Sequence, residues 1–166
     1  MKIFFTSDQH FYHRNIIKYA GRPFSMDDAG VVECTKTIFN NYNNMVTNDD
    51  VVFFLGDVFL TRPRFRDIGF ETTKRLNGKK ILIKGNHDEL PDSKYLECFC
   101  LVKDYLYFDN LLLCHYPDVQ KYFKELDPIK FKVIIHGHIH NKQYSSKKYI
   151  NACVDYVPNG FKPVYS

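Results

Sequence analysis

The sequence lacks several features that would place it in a specialised class of protein. It contains no tryptophan, no internal repeat and no low-complexity tract. No stretch approaches the roughly 18 apolar residues that a membrane-spanning helix requires. The apolar run at the N-terminus ends by Asp8, which is too short for a secretory signal. We therefore expect a soluble, cytoplasmic protein that does not associate with a membrane.

The cysteines do not form a recognisable disulfide framework either. There are five of them, an odd number without recurring spacing, which is typical of buried free thiols in a reducing compartment. The net charge of +4 is mild, so it permits an anionic substrate without requiring one. The length of 166 residues, of which 45% are hydrophobic, predicts a single domain over residues 1–166 with its own core.

Short apolar runs that lead directly into polar clusters are the main organising feature of the chain. The runs are typical of buried strands, and they are Ile3 to Thr6, Val51 to Leu55, Lys80 to Ile83 and Phe131 to Ile135. The clusters that follow are Asp8-Gln9-His10, Gly56-Asp57, Gly85-Asn86-His87-Asp88 and Gly137-His138-Ile139-His140. Functional groups gather at the carboxyl ends of strands in α/β sheets, so we expect these clusters to meet.

Helical patterns lie between the strands. Ser25 could cap a helix that continues to about Met45 and is followed by a turn at Asn48-Asp49-Asp50. A second helix is predicted from about Asp67 to Leu76. Asp109-Asn110 lies between two apolar runs and predicts a hairpin, and residues 148–155 predict a last strand. The order βαβαβ followed by strands predicts an α/β layered fold.

The polar clusters supply carboxylate, imidazole and amide donors, which suit borderline divalent ions. They contain no thiolate, so a structural zinc site is disfavoured. Eight such groups are too many for one ion and suit two ions bridged by a carboxylate. Asp8 and His10 would face the same way on a continuing strand, and so would His138 and His140. The glycines beside the clusters would let the backbone approach the ions closely. The ligand-type residues are Asp8, His10, Asp57, Asn86, His87, His115, His138 and His140.

The ordered motifs Asp-x-His, Gly-Asp, Gly-Asn-His-Asp, His and Gly-His-x-His resemble the calcineurin-like metallophosphoesterase superfamily. The resemblance implies a double β-sandwich flanked by helices, in α/β/β/α layers. It also implies one metal held by Asp8, His10, Asp57 and His140, and a second held by Asp57, Asn86, His115 and His138, with Asp57 bridging. His87 would contact the phosphate and protonate the leaving oxygen. Residues 7–11, 15–17 and 22–24 also resemble a subgroup of short bacterial and phage phosphoesterases.

The resemblance implies hydrolysis of a phosphate ester by a metal-bridging hydroxide, with His87 and Asp57 as catalytic residues. Mn²⁺ is the first expectation for the ions, with Fe, Zn²⁺ or Ni²⁺ as alternatives. A chain this short leaves little room for a cap, so an open site and a phosphodiester substrate are favoured over a monoester. The substrate could be a nucleotide or a nucleic-acid end, and no protein partner is predicted. The alternative is a non-catalytic metal-binding scaffold or interaction module with the same fold.

Several single residues allow a simpler interpretation. His115 could be a partly buried histidine, and Asn86 could be only a turn residue, although their places in the motif series favour metal ligation. Asp88 is expected to orient His87 or to cap a helix. His13 and His136 lie outside the superfamily's ligand set, so a structural role is the simpler expectation, although His13 could reach the substrate.

The cations and aromatic residues near the motifs are also ambiguous. Arg22 could clamp a phosphate or form a salt bridge, and it is retained with Asn86, His87 and His13 as a candidate substrate contact. The default interpretation of Arg62, Arg64 and Arg66 is a solvated basic loop, and the alternative is a wall that attracts an anionic substrate. Tyr122 and Phe123 could touch a base, but packing explains them equally well.

Overall fold

The computed structural model describes residues 1–60 and 63–165. Its strands are Ile3–Thr6 (β1), Val51–Phe54 (β2), Lys79–Ile83 (β3), Leu101–Lys103 (β4), Tyr105–Phe108 (β5), Leu111–Cys114 (β6), Val133–His136 (β7), Tyr149–Asn151 (β8) and Val164–Tyr165 (β9). Its α-helices are Arg14–Tyr19 (α1), Asp28–Asn43 (α2), Pro63–Lys74 (α3), Asp92–Tyr95 (α4) and Val119–Tyr122 (α5). Short 3₁₀ turns lie at Pro128–Lys130 and Val157–Asn159.

The strands form two sheets. The first has the order β4-β3-β2-β1-β9, in which β1 to β4 are parallel and β9 is antiparallel to β1. The second has the order β5-β6-β7-β8, in which only the β5–β6 pair is antiparallel. An isolated parallel bridge between Ser7 and Cys153 links the end of β1 to the segment after β8.

Each sheet buries both of its faces, which explains why the strands appear in the sequence as continuous apolar runs. In β2, the side chain of Phe54 joins the core beneath α2 and α3, whereas Phe53 joins the core between the sheets. In β6, Leu113 joins the core between the sheets, whereas Leu112 packs in the outer core with Val119 of α5. Alternate residues therefore face opposite layers, and the result is the α/β/β/α arrangement expected from the sequence.

The predicted elements are largely confirmed. The four apolar runs are strands whose ends agree with the prediction to within two residues. The hairpin at Asp109 joins β5 to β6. The cap of α2 was predicted wrongly, because the Asp27 carboxylate, and not Ser25, accepts the hydrogen bond from the Gly30 amide at 2.8 Å. The hydroxyl of Ser25 instead donates to Asp27 at 2.8 Å.

Two further predictions need correction. Helix α3 begins at Pro63, where proline suits the first turn because its missing N–H would have no partner there. Arg64 and Arg66 therefore belong to a helix and not to a basic loop, while Arg62 lies outside the described residues. The strand near residue 150 is not the last, since β9 follows it and returns to the edge of the first sheet. Among the helices that the structure describes, none is long and apolar enough to cross a membrane.

Candidate metal centre

The loops that follow five strands converge at one edge of the two sheets. Because β1, β2 and β3 are parallel to one another, and β6 is parallel to β7, their carboxyl ends point the same way. These loops contribute Asp8 and His10 after β1, Asp57 after β2, Asn86 and His87 after β3, His115 after β6, and His138 and His140 after β7. The structure brings all eight of these residues together through the contacts described below.

Two carboxylates lie at the centre of this group. Oδ1 of Asp8 lies 3.9 Å from Nε2 of His10 and 3.9 Å from Nε2 of His140. Oδ2 of Asp57 lies 3.6 Å from Nε2 of His10 and 3.5 Å from Nε2 of His115. Donor atoms of Asp8, His10 and His140 form one potential ion site, with all separations within 4.8 Å, and those of Asp8, Asp57 and His115 form another.

The remaining members lie at the margin of the two potential ion sites. Oδ1 of Asn86 lies 3.2 Å from Nε2 of His115. The rings of His138 and His115 have their centres 5.0 Å apart, and the amide of His138 donates to Oδ2 of Asp8 at 3.0 Å. His138 is not part of either potential ion site, so its assignment as a ligand rests on the motif resemblance.

The backbone places these side chains in a way that the strand argument did not predict. The φ angles are 59° at Asp8, 48° at His10, 57° at Asp57, 74° at His138 and 50° at His140. All five lie in the left-handed region, which is strained for residues with a Cβ and concentrates at functional sites. Asp8 and His10 therefore do not continue a strand, and neither do His138 and His140. Their convergence comes from tight loops.

Glycines allow the loops to approach one another. A Cβ atom at Gly85 would collide with Oδ1 of Asp57 and would lie 2.8 Å from the ring of His115. A Cβ atom at Gly137 would lie 2.6 Å from Oδ2 of Asp8. A side chain would not fit at either position, so these glycines allow the close approach of the backbone that the sequence predicts.

The orientation of Asp8 is fixed from one side. Its Oδ2 atom accepts hydrogen bonds from the amide of His138 and from the thiol of Cys153, whose sulfur lies 2.9 Å away. Within the described residues, Oδ1 of Asp8 and Nε2 of His10 are both buried and have no hydrogen-bond partner. Buried polar atoms without a partner are costly. Here they face each other across a cluster of oxygen and nitrogen donors, which is the arrangement that a divalent ion would satisfy.

His140 is oriented by a buried carboxylate that belongs to none of the sequence motifs. Nδ1 of His140 lies 2.7 Å from Oδ2 of Asp155, and Arg22 holds that carboxylate with Nε at 2.7 Å and Nη2 at 3.0 Å. Arg22 also donates to the carbonyl oxygens of Asp8 and Gln9 at 2.7 and 2.9 Å. With 1% of its side chain exposed, Arg22 forms the salt bridge considered above and does not face a substrate.

The rings of His87 and His13 lie next to the ring of His10. The ring centres of His87 and His13 are 5.2 Å from that of His10, and they are 5.9 Å from each other. The amide of His87 donates to Oδ1 of Asp57 at 2.8 Å. Asp88 does not orient His87 and does not cap a helix, because its carboxylate accepts the amides of Asp57 and Gly85 at 2.7 and 2.8 Å. It holds the loops after β2 and β3 together.

Burial favours the neutral form of two imidazoles of the site, those of His10 and His138. Burial lowers the pKa of His10 well below its ordinary value and lowers that of His138 to about 4. Burial raises the pKa of Asp57 to about 9, and the neighbouring carboxylates of Asp8 and Asp88 add to the shift. Neutral imidazoles are the form that binds metal, and an ion would reverse the effect of burial on a carboxylate. His136 is fully buried after β7 and contacts the rings of Tyr144 and Tyr149, as its predicted structural role requires.

A double sandwich with carboxylate, imidazole and amide donors at the carboxyl ends of its strands defines a class of metal-dependent phosphoesterases. The family model described as calcineurin-like phosphoesterase matches residues 1–127, more than half of the chain. The chain belongs to this family. His138 and His140 lie beyond the matched range.

Three relatives illustrate the similarity. The chain is 39% identical over 150 residues to the uncharacterized protein MJ1445 of Methanocaldococcus jannaschii, covering 90% of this chain and 76% of that protein. It is 27% identical over 171 residues to the Gene 66 protein of Mycobacterium phage L5, covering 86% and 79% of the two chains. The crystal structure of the protein of unknown function AQ665 from Aquifex aeolicus matches with a TM-score of 0.73 at 28% identity, covering 99% of this chain and 95% of that one.

Proposed function

We propose that the protein is a phosphodiesterase that depends on two divalent metal ions. The observation that carries this proposal is the pair of buried atoms without partners, Oδ1 of Asp8 and Nε2 of His10. They lie 3.9 Å apart, within a cluster whose carboxylates, imidazoles and amide match the donors that Mn²⁺, Fe, Zn²⁺ and Ni²⁺ accept. Two buried atoms that face each other without a hydrogen bond are costly, and an ion between them would remove that cost.

Asp8, His10, Asp57 and His140 would hold one ion, and Asp57, Asn86, His115 and His138 would hold the other. The position of Asp57 supports a bridging role, because its Oδ2 atom lies between His10 and His115. Asp8 takes part in both potential ion sites and is a second shared carboxylate. When bound, the ions supply the positive charge that activates the attacking water and takes up charge on the phosphoryl oxygens. Mn²⁺ is the first candidate.

His87 is proposed to act on the substrate and not on a metal. Its amide holds Asp57, and its half-buried ring stands beside His10 and His13. From there it can donate a proton to the leaving oxygen of the ester, a role that histidine fills most often among general acids. Asn86 is exposed at the rim and His13 is half-buried, so both can contact a phosphate that enters the site.

The preference for a diester rests on the openness of the site. Asn86 is exposed, and 24% of the side-chain surface of His140 is accessible to solvent. A diester places an ester group on each side of its phosphorus, so it needs space on both sides of the ions. An open rim provides that space.

The test is to strip the protein with a chelator, reload it with each candidate ion, and compare an aryl phosphodiester with the matching monoester. We expect activity to disappear on stripping, to return best with Mn²⁺, and to be higher on the diester. Full activity of the metal-free protein would exclude the metal mechanism, and strong monoester preference would reverse the choice of substrate. Tight binding of two ions without hydrolysis of any ester would point to a metal-binding scaffold instead.

A further inference from the structure

Two tyrosines stack face to face beside the candidate metal centre. The ring centres of Tyr116 and Tyr122 are 3.7 Å apart, and the ring planes differ by only 8°. Tyr116 directly follows His115 at the end of β6, and Tyr122 ends the short helix α5. We call this pair the tyrosine shelf.

The shelf lies against the proposed ligands of the second ion. The ring centre of Tyr116 is 4.9 Å from that of His115 and 5.0 Å from that of His138. The ring centre of Tyr122 is 6.3 Å from that of His138. A phosphate held at the second ion would therefore have an aromatic surface next to it, within the reach of one of its ester substituents.

Tyr122 and its neighbour Phe123 differ in how far they are buried. Phe123 packs against Tyr105 at 5.0 Å and contributes to the outer core of the second sheet. Tyr122 keeps 40% of its surface exposed, although it lies on Tyr116. Packing therefore accounts for Phe123. It does not account for the exposed face of Tyr122.

A positive charge accompanies the shelf. Nζ of the exposed Lys121 lies 5.1 Å from the ring centre of Tyr122. An exposed cation–aromatic contact is weaker than the stacking of a nucleobase on an aromatic ring, so a base could displace this flexible side chain. The displaced ammonium group would remain close enough to attract a phosphate.

We propose that the tyrosine shelf is the subsite for a nucleobase attached to the phosphodiester that the metal centre hydrolyses. This inference rests on the proposed function and narrows its substrate class to nucleotide and nucleic-acid diesters. Stacking on Tyr122, with Tyr116 as the supporting ring, would accept any of the bases, because every base has an aromatic face. Recognition at this subsite would thus require a base but would not depend on which base it is.

The experiment compares a dinucleoside monophosphate with an analogue in which hydrogen atoms replace both bases. The Mn²⁺-loaded protein should hydrolyse the base-bearing substrate with a kcat/KM that is roughly 5- to 150-fold higher, the range expected for stacking of one base. Tyr122→Ala should abolish this preference, whereas Tyr122→Phe should retain it, because the ring and not the hydroxyl stacks. A short oligonucleotide assayed in parallel separates small diesters from polynucleotide ends.

Tyr144→Ala is the matched control. Tyr144 is also 40% exposed and stacks on another tyrosine, Tyr149, with ring centres 4.8 Å apart, but it contacts His136 and none of the proposed ligands. This variant should keep the wild-type preference. Metal content measured on every variant shows whether the centre itself is intact.

The outcomes separate the inference from the proposed function. Hydrolysis of an aryl diester without any preference for the base-bearing dinucleotide would reject the nucleobase subsite and would still support the phosphodiesterase activity. Equal loss of preference in Tyr122→Ala and Tyr144→Ala would also reject the subsite. If no diester is hydrolysed, the proposed function fails. In that case, equilibrium binding of the base-bearing dinucleotide and its base-free analogue to wild type and to Tyr122→Ala tests the nucleobase subsite by itself. Equal affinities of the wild type for the two ligands would reject the subsite.

Discussion

Nδ1 of His140 and Oδ2 of the buried Asp155 lie 2.7 Å apart. Burial would lower the pKa of His140, but the hydrogen bond to Asp155 and the charge of Asp8 raise it above its ordinary value. Donation from Nδ1–H to a carboxylate leaves the lone pair on Nε2, the nitrogen that faces Asp8. Such a partner behind a ligating histidine fixes its tautomer and its orientation. We therefore infer that Asp155 positions His140 for the proposed metal centre.

Replacing Asp155 should weaken metal binding. Asp155→Asn removes the charge that holds both His140 and Arg22, and we expect the affinity for Mn²⁺ to fall by about 10- to 100-fold, the usual cost of losing such a partner. Calorimetric titration of the metal-free protein measures this directly. The exposed Asp49 provides a matched control, since Asp49→Asn makes the same chemical change away from the centre. Unchanged affinity in Asp155→Asn would remove the positioning role.

The thiol of Cys153 should support Asp8 through its hydrogen bond. Cys153→Ala removes the donor to Oδ2, and a net loss of about 1 kcal/mol, or about fivefold in Mn²⁺ affinity, is expected. Cys153→Ser keeps a donor of similar size and should bind metal more tightly than the alanine variant. Both variants should be compared by metal titration and by thermal unfolding without metal. If serine and alanine have the same effect on affinity, the sulfur contributes by packing alone.

Asp155 and Cys153 also show where the sequence stops being informative. The eight ligand-type residues follow apolar runs in a recognisable order, so their convergence could be predicted from the parallel strands. Cys153 contacts Asp8 across 145 positions and Asp155 contacts Arg22 across 133, and neither lies in a motif. A carboxylate after the strand near residue 150 was the available signal for Asp155, and no signal identified Cys153. The left-handed loops were also missed, because the prediction assumed that Asp8 and His10, and likewise His138 and His140, continue regular strands.

The cysteines should differ sharply in reactivity. Cys34, Cys114 and Cys153 are buried, Cys98 is half-buried, and Cys100 is exposed, so the expectation of buried thiols fails for Cys100. Burial raises the pKa of Cys114 to about 12 and that of Cys98 to about 11, which depletes the reactive thiolate. We expect one fast reaction with a thiol reagent on the native protein, and Cys100→Ser should eliminate it. A fast phase that survives this substitution would show that the interior thiols open readily.

Asp57→Asn should impair both proposed ion sites. The substitution removes the negative charge that the carboxylate would present to both ions, while leaving an oxygen able to accept the amide of His87. We expect lower occupancy of both ions and a severe loss of turnover, measured by elemental analysis and by diester hydrolysis, with Asp49→Asn as the control. Two ions bound at wild-type affinity with normal turnover would show that the bridge is misassigned.

His87→Ala should separate catalysis from metal binding. The ring of His87 is 5.2 Å from that of His10 and is not part of either potential ion site, so both ions should remain bound. As a general acid, His87 would contribute about 10²- to 10⁴-fold to the rate. The loss should be largest for an alkyl diester, whose alkoxide needs the proton, and smaller for a nitrophenyl diester, whose phenolate leaves unaided. Metal content and turnover on both substrates provide the measurement. Loss of metal would make His87 a ligand, and equal losses on both substrates would replace the general-acid role with phosphate binding.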